Sequence, residues 1–219
     1  MMRFVGLSHP ISNGMVTYPG LPGPVITDHL SRTDAFEKYD RGTSFQIGRI
    51  TMVSNTGTYI DSPFHRYADG SDLGELDLAK IAHLRAVVCR VPMGVRKFGP
   101  EFFSEMRVAG RAELVHTGWD TYWGTAACFD GHPFLTREAA QQLSDRGEVL
   151  VGIDSMNIDD TDDGTRPAHT ILFARDISVV EHLCGLDLVP DSGFYFYAVP
   201  VKVKGLGSFP VRAFGLLNS

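Results

Sequence analysis

The stretch that decides how this chain is read is "SNTGTYIDSPFHRYADG", Ser54 to Gly70. Pro63 keeps its centre out of a regular helix, because proline lacks an N–H and pushes the preceding residue to extended geometry. Gly57 permits a tight bend just upstream. The segment therefore reads as kinked and mostly extended. Asn55, Tyr59, Asp61 and His65 share parity, so an extended path turns them to one face. An Asp and a His on one face of a loop can begin a metal site or an acid–base site. The same pair is equally open to a plainer reading, with Asp61 capping a turn and His65 on the surface.

Working outward, the whole chain has 219 residues, enough for one domain with a sizeable core. Its segment 1–45 is a candidate arm for dimer contacts. The hydrophobic fraction of 43% and charged fraction of 21% are those of an ordinary soluble globular protein. A net charge of -6 without a basic run disfavours nucleic acid and anionic membranes as partners. The start, "MMRFVGLSHPIS", lacks the charge and apolar length of a signal peptide. No apolar run of roughly 18 residues predicts a membrane span. Cys89, Cys128 and Cys184 form no C-x-x-C pair and read as reduced, buried thiols of a cytoplasmic protein.

Strand-like runs dominate: "MRFVGLS", "TSFQIGRITMVS", "LRAVVCRV", "AELVHTGW", "GEVLVGID", "FYFYAVPVKV" and "PVRAFGLL". Several are apolar at consecutive positions, as strands buried on both faces are. Helices are expected at "PEFFSEMR" (100–107), at "LTREAAQQLSDRG" (135–147, with Thr136 as cap and Gly147 as stop) and at "DISVVEHLCG" (176–185). The class is α/β, with a mixed, barrel-like sheet and few helices. "NIDDTDDGTRPAH" reads as a polar, solvated loop. Its acidic run, Asp159 to Asp163, lacks the spacing of a calcium loop.

A second chemistry-bearing segment is "HTILFARDISVVEHL", with His169 and Glu181. A Glu beside Val179, Val180 and Leu183 is costly unless paired or ligating; a solvent-facing Glu181 is the alternative. Ser155 lacks a nucleophile-elbow context. His116 and His132 read as structural, and Asp154 either caps a loop or orients His169.

Together the segments resemble the cyclase family that includes bacterial kynurenine formamidases and isatin hydrolases. That family's pattern, His-x-Gly-Thr-His-x-Asp-x-Pro-x-His, here becomes Asn55, Gly57, Thr58, Tyr59, Asp61, Pro63 and His65. "LSHPISNGMVTYPG", "LVHTGWD", "HPFLTREAAQQLSDRGEVLVGIDSMNID" and "FYFYAVPVKVKGLGSFPVRAFGLL" resemble further family segments in order, so the likeness spans nearly the whole chain.

The resemblance implies a swivelling β/β/α fold and a homodimer or higher homo-oligomer. It also implies a zinc or manganese centre that hydrolyses an amide or lactam. It puts metal ligands at Asp61, His169 and Glu181, a proton shuttle at His65, and a substrate-packing aromatic at Tyr18. Asn55 and Phe64 are candidate substrate contacts. The departure is at Asn55 and Tyr59, where the family has imidazoles. A carboxamide is a poor zinc ligand, and a phenol ligates only when deprotonated. One ion on Asp61, His169 and Glu181, or none, is then expected. Without an ion, Asp61 and Glu181 would share a site in which one carboxyl stays protonated. With Tyr59 and His65 they would form an acid–base set for a cyclase or dehydratase acting on an aromatic or polyketide-like carbonyl. Three readings follow: a metal-assisted hydrolase of a cyclic or aryl amide, a metal-independent cyclase or dehydratase, and a non-catalytic binding protein on this scaffold.

Overall fold

The computed structural model describes residues 1–103 and 109–218. In chain order the strands and helices are β1 (Met2–Gly6), β2 (Val25–Leu30), α1 (Arg32–Lys38), β3 (Ile47–Thr51), β4 (Tyr59–Asp61), β5 (Leu84–Arg90), β6 (Lys97–Phe98), β7 (Ala112–His116), β8 (Phe134–Leu135), α2 (Arg137–Arg146), β9 (Leu150–Ile153), α3 (Pro167–Phe173), β10 (Ser178–Glu181), β11 (Ser192–Tyr197), β12 (Ser208–Pro210) and β13 (Phe214–Asn218). Nine of the strands make one mixed sheet in the order β1-β13-β11-β5-β7-β9-β10-β4-β12. Its centre, β5-β7-β9-β10, is parallel; its flanks are antiparallel. The expected mixed sheet with few helices is therefore what forms.

The consecutive apolar residues explain the layering. Leu114, Leu150 and Val180 enter one core, while their neighbours Val115, Val151 and Val179 enter the other. The second core is roofed by α2 and α3, through Ala139, Ala140, Leu143, Ala168 and Leu172. Helix α2 begins where the Thr136 side chain accepts from the Ala139 N–H, and it ends at Gly147, whose φ of 82° is left-handed.

Three expectations are corrected. Within 176–185 there is a strand, β10 (Ser178–Glu181), and no helix: the β-branched Val179 and Val180 bury opposite faces of β10, and Asp176 has a φ of 56° rather than a cap geometry. A helix at 167–173 was not expected, although Pro167 stands at its first turn, where proline is favoured. At 100–107, Pro100–Phe102 make only a 3-10 turn; residues 104–107 lie outside the described residues. Of segment 1–45, β1 pairs with β13 in the main sheet, and β2 pairs with β3, which lies just beyond the segment, in a separate antiparallel ribbon whose apolar residues Val25, Ile26, Ile47 and Ile50 are exposed.

Candidate active site

The site lies where β4, β10 and β12 run under α3. In the antiparallel registers Glu181 stands opposite Tyr59, and Ser208 stands opposite Asp61. Directly opposed residues point to the same side of a sheet. Ile60 and Val180 go to the far core, so Tyr59, Asp61 and Glu181 face the helix side. There α3 supplies His169. Glu181 thus reaches the site from a strand end rather than from a helix.

All four side chains are buried, and each is held. The Tyr59 hydroxyl donates to Glu181 Oε2 at 2.5 Å. The Ile158 N–H donates to Glu181 Oε1 at 2.8 Å, and Asn157 Nδ2 lies 3.4 Å from Oε2. Asn55 Nδ2 is 3.4 Å from Asp61 Oδ1. The Ser208 hydroxyl hydrogen-bonds to Asp61 Oδ1 and is 2.9 Å from His65 Nδ1. With its proton on Asp61, Ser208 accepts from His65 Nδ1–H, which leaves His65 Nε2 with a free lone pair. His65 follows Pro63 in a single 3-10 turn and is the exposed member of the set.

His169 Nδ1 contacts Asp159 Oδ2 at 2.6 Å, and Asp159 also accepts from the N–H groups of Ala168 and His169. His169 Nε2 is buried without a hydrogen-bond partner, 3.7 Å from Asp61 Oδ2 and 3.5 Å from Glu181 Oε1. Burial pulls the imidazole pKa down. The surrounding Asp159, Asp61 and Glu181 outweigh that and lift it to about 10. Burial pushes Glu181 up to about 7, with Asp61 adding to the rise and His169 opposing it. Tyr59 is driven well above the usual phenol value by burial, then by Glu181 and Asp61.

This donor set fits one divalent ion. Asp61, His169 and Glu181 offer ligand atoms within 4.8 Å of one another. An unpartnered Nε2 on an imidazole whose other nitrogen is tied to a carboxylate is the usual metal-ligand arrangement. Tyr59 and Asn55 are poor donors for a second ion: burial and Glu181 hold the Tyr59 phenol neutral, with its proton on Glu181, and Asn55 offers only an amide. A further cluster, His116, Asp120 and Asp154, is engaged elsewhere. Asp154 accepts from Thr117 and Gly118, and Arg90 lies 3.0 Å from His116 Nδ1. Asp154 therefore builds a loop corner and does not orient His169; Asp159 does.

A cavity of about 420 Å³ opens over these groups, lined also by Tyr18, Leu21, Arg66, Asn157 and Arg166. Asn55 and Tyr18 are among its lining residues. Phe64 is half-buried beside it and is not part of its wall. Trp119 is tied by its indole N–H to the Cys128 carbonyl, and Phe194 and Phe196 are core. Asp159 was misread as part of a solvated loop. Its signal was available, since an Asp ten residues before a candidate ligand His can reach back across a helix start. Ser208 gave no such signal.

The Cyclase family model matches residues 5–160. This chain belongs to the cyclase family. It is 30% identical over 214 residues to a kynurenine formamidase of Bacillus cytotoxicus, with 96% of each chain covered. It is 28% identical over 212 residues to one of Bacillus anthracis. It is an enzyme of this family. The cyclase fold is shared with a solved structure described as a potential metal-dependent hydrolase with cyclase activity, at a TM-score of 0.81, 23% identity and full coverage of both chains. It is shared too with isatin hydrolase A from Labrenzia aggregata, at a TM-score of 0.82 and 20% identity over 100% of this chain and 94% of that one.

Proposed function

We propose that this cyclase-family chain hydrolyses an aryl or cyclic amide at a centre with room for one divalent ion, zinc or manganese. The observation that carries the reading is the convergence of Asp61, Glu181 and the unpartnered Nε2 of His169 beneath the cavity, beside the free Nε2 of His65. An ion held by those three residues would act as a Lewis acid on the amide carbonyl. The chain's own groups do the rest. His65 Nε2 takes a proton from the attacking water as general base, with Ser208 and Asp61 fixing its tautomer. The water oxygen bonds to the carbonyl carbon, the C–N bond breaks, and His65 returns the proton to the leaving nitrogen. The products are a carboxylic acid and an amine. Tyr59, Asn157 and the Ile158 N–H hold Glu181 in place.

A second reading rests on the 2.5 Å contact between Tyr59 and Glu181, which keeps a neutral phenol against a carboxyl raised to about 7. That pair, with His65, suits ion-independent cyclisation or dehydration of an aromatic or polyketide-like carbonyl.

The test is turnover of aryl formamides and lactams by protein supplied with zinc or manganese. The hydrolase reading expects product that disappears with a chelator and falls about a hundredfold or more in His65→Ala. Turnover indifferent to chelation passes the site to the second reading. Absence of turnover with every amide, alongside ligand binding, leaves a binding protein. The exposed ribbon of β2 and β3 supports a homodimer built through this segment.

A further inference from the structure

A second cavity, of about 290 Å³, lies against β5, β11 and the chain entering β7, with Arg85, Val87, Arg111, Gly193, Phe194 and Tyr195 in its wall. It is far from the active site along the strands: Glu181 closes β10 at the carboxyl end of the parallel strands, whereas Arg85 stands at the start of β5 and Arg111 precedes β7. Arg111 is committed within the protein. Its Nε donates to the two carboxylate oxygens of Glu148 at 3.0 and 3.1 Å, and its Nη2 donates to Glu113 at 3.1 Å. Arg85 is exposed and makes no ion pair or hydrogen bond among the described residues. It stands opposite Tyr195 in the antiparallel register, so both side chains reach the same side of the sheet. The Tyr195 ring is fixed there. His83 stacks on it at 4.0 Å with the planes 7° apart, and His83 Nδ1 is 2.6 Å from the Tyr197 hydroxyl. His83 holds that position at a φ of 54°, a left-handed geometry that is costly for a non-glycine residue. Beside Tyr195, β11 carries a bulge. Ser192 stands opposite Val87 and Phe194 opposite Ala86, and Gly193 between them has a partner in neither β5 nor β13. Its φ is 85° and nothing lies within 4 Å of where a Cβ would be, so the bulge opens its backbone to the cavity.

We infer that this second cavity binds a small organic carboxylate, with Arg85 and the Gly193 N–H on its oxygens and its apolar body against Val87 and Tyr195. One unspent guanidinium beside apolar walls matches a monoanion. Its parallel N–H donors meet the two oxygens of a carboxylate, and a backbone N–H released by the bulge adds a further donor. Arg111 stays with Glu148 and Glu113. A phosphate dianion would call for a second unspent cation in the wall, and a neutral ligand would leave Arg85 unused. The site is separate from the amide-hydrolysing centre and stands whether or not that reading holds.

The test follows the Gly193 amide by NMR in zinc-supplied protein titrated with hexanoate, hexanamide and inorganic phosphate, with calorimetry for the affinities. Hexanoate is expected to shift that amide saturably and to bind about tenfold or more tighter than hexanamide. The preference should disappear in Arg85→Gln, return in part in Arg85→Lys and persist in His65→Ala, whose change lies in the other cavity. Arg85 is exposed, so both of its variants should keep the wild-type melting curve. The lysine variant carries the comparison if the glutamine variant does not fold. No saturable shift at Gly193, equal affinity for hexanoate and hexanamide, or tighter binding of phosphate overturns the inference. A preference that survives Arg85→Gln, or one lost in His65→Ala, overturns it too. So does a change of sedimenting mass in Arg85→Gln, which would make the cavity a contact between copies of the chain.

Discussion

His169 shows how much of the site hangs on one buried ring. Its Nδ1 is held by Asp159 and its Nε2 looks at two carboxylates. Burial opposes the charged ring, and the three acids prevail, so the ion-free protein keeps an imidazolium up to about pH 10 against an ordinary value of 6.5. A pKa raised by folding contributes stability that is complete below the unfolded value and is lost as pH rises through the folded one. Chelator-treated protein should therefore unfold at a lower urea concentration near pH 10 than near pH 6.5. Asp159→Asn should shrink that difference, because it removes the first acid among those lifting the ring. Equal shrinkage in a variant of the exposed Asp162 would contradict the account. At this scale Asp61 and His65 were legible from the kinked motif around Pro63, and His169 and Glu181 through the family resemblance, with Glu181 expected on a helix rather than at the end of β10. Asp159 was not, because an acidic run looks solvated until the helix that covers it is known.

At the scale of elements, the site depends on β12 passing unusually close to the turn that carries His65. A Cβ built on Gly207 would stand 2.4 Å from the His65 nitrogen and 2.6 Å from its Cα, so only glycine fits. Gly207 is held there by its carbonyl, which accepts from the Ser62 N–H at 2.7 Å. Gly207→Ala is expected to destabilise the fold by about 1–3 kcal/mol and to cut turnover further by displacing His65 from Ser208. Thermal melting and kcat measured together check this, and an unchanged kcat would contradict it. The strand runs were readable because two-sided burial writes consecutive apolar residues. The 178–181 run was not separable from a buried helix by that pattern, since a short apolar run satisfies both periods. Its Val-Val pair was the discriminating sign. The α3 segment shows the converse: Pro167 announced a helix start, but the acidic residues before it drew the reading towards a loop.

On the scale of the molecule, one sheet carries both cores, while the β2–β3 ribbon stands apart with Ile26 opposite Ile50, both exposed. A two-stranded ribbon has little stability alone, and Phe36 and Tyr39 add exposed rings around α1. Sedimentation should give twice the 24.1 kDa chain mass for the wild type and the single mass for the double variant Ile26→Asp and Ile50→Asp. A wild type sedimenting as one chain would remove the dimer. The family resemblance made the fold foreseeable, and it singled out Asp61, His169 and Glu181, which the structure brings together with Tyr59. What Asn55 and Tyr59 do to the chemistry is decided by how many ions the site accepts. The most direct measurement is metal content by plasma mass spectrometry on tag-free protein, before and after dialysis against excess zinc or manganese, with Asp61→Ala as control. The account predicts about one ion per chain, lost in Asp61→Ala, with no second ion taken up in excess. No ion under any loading, or two per chain, would contradict it.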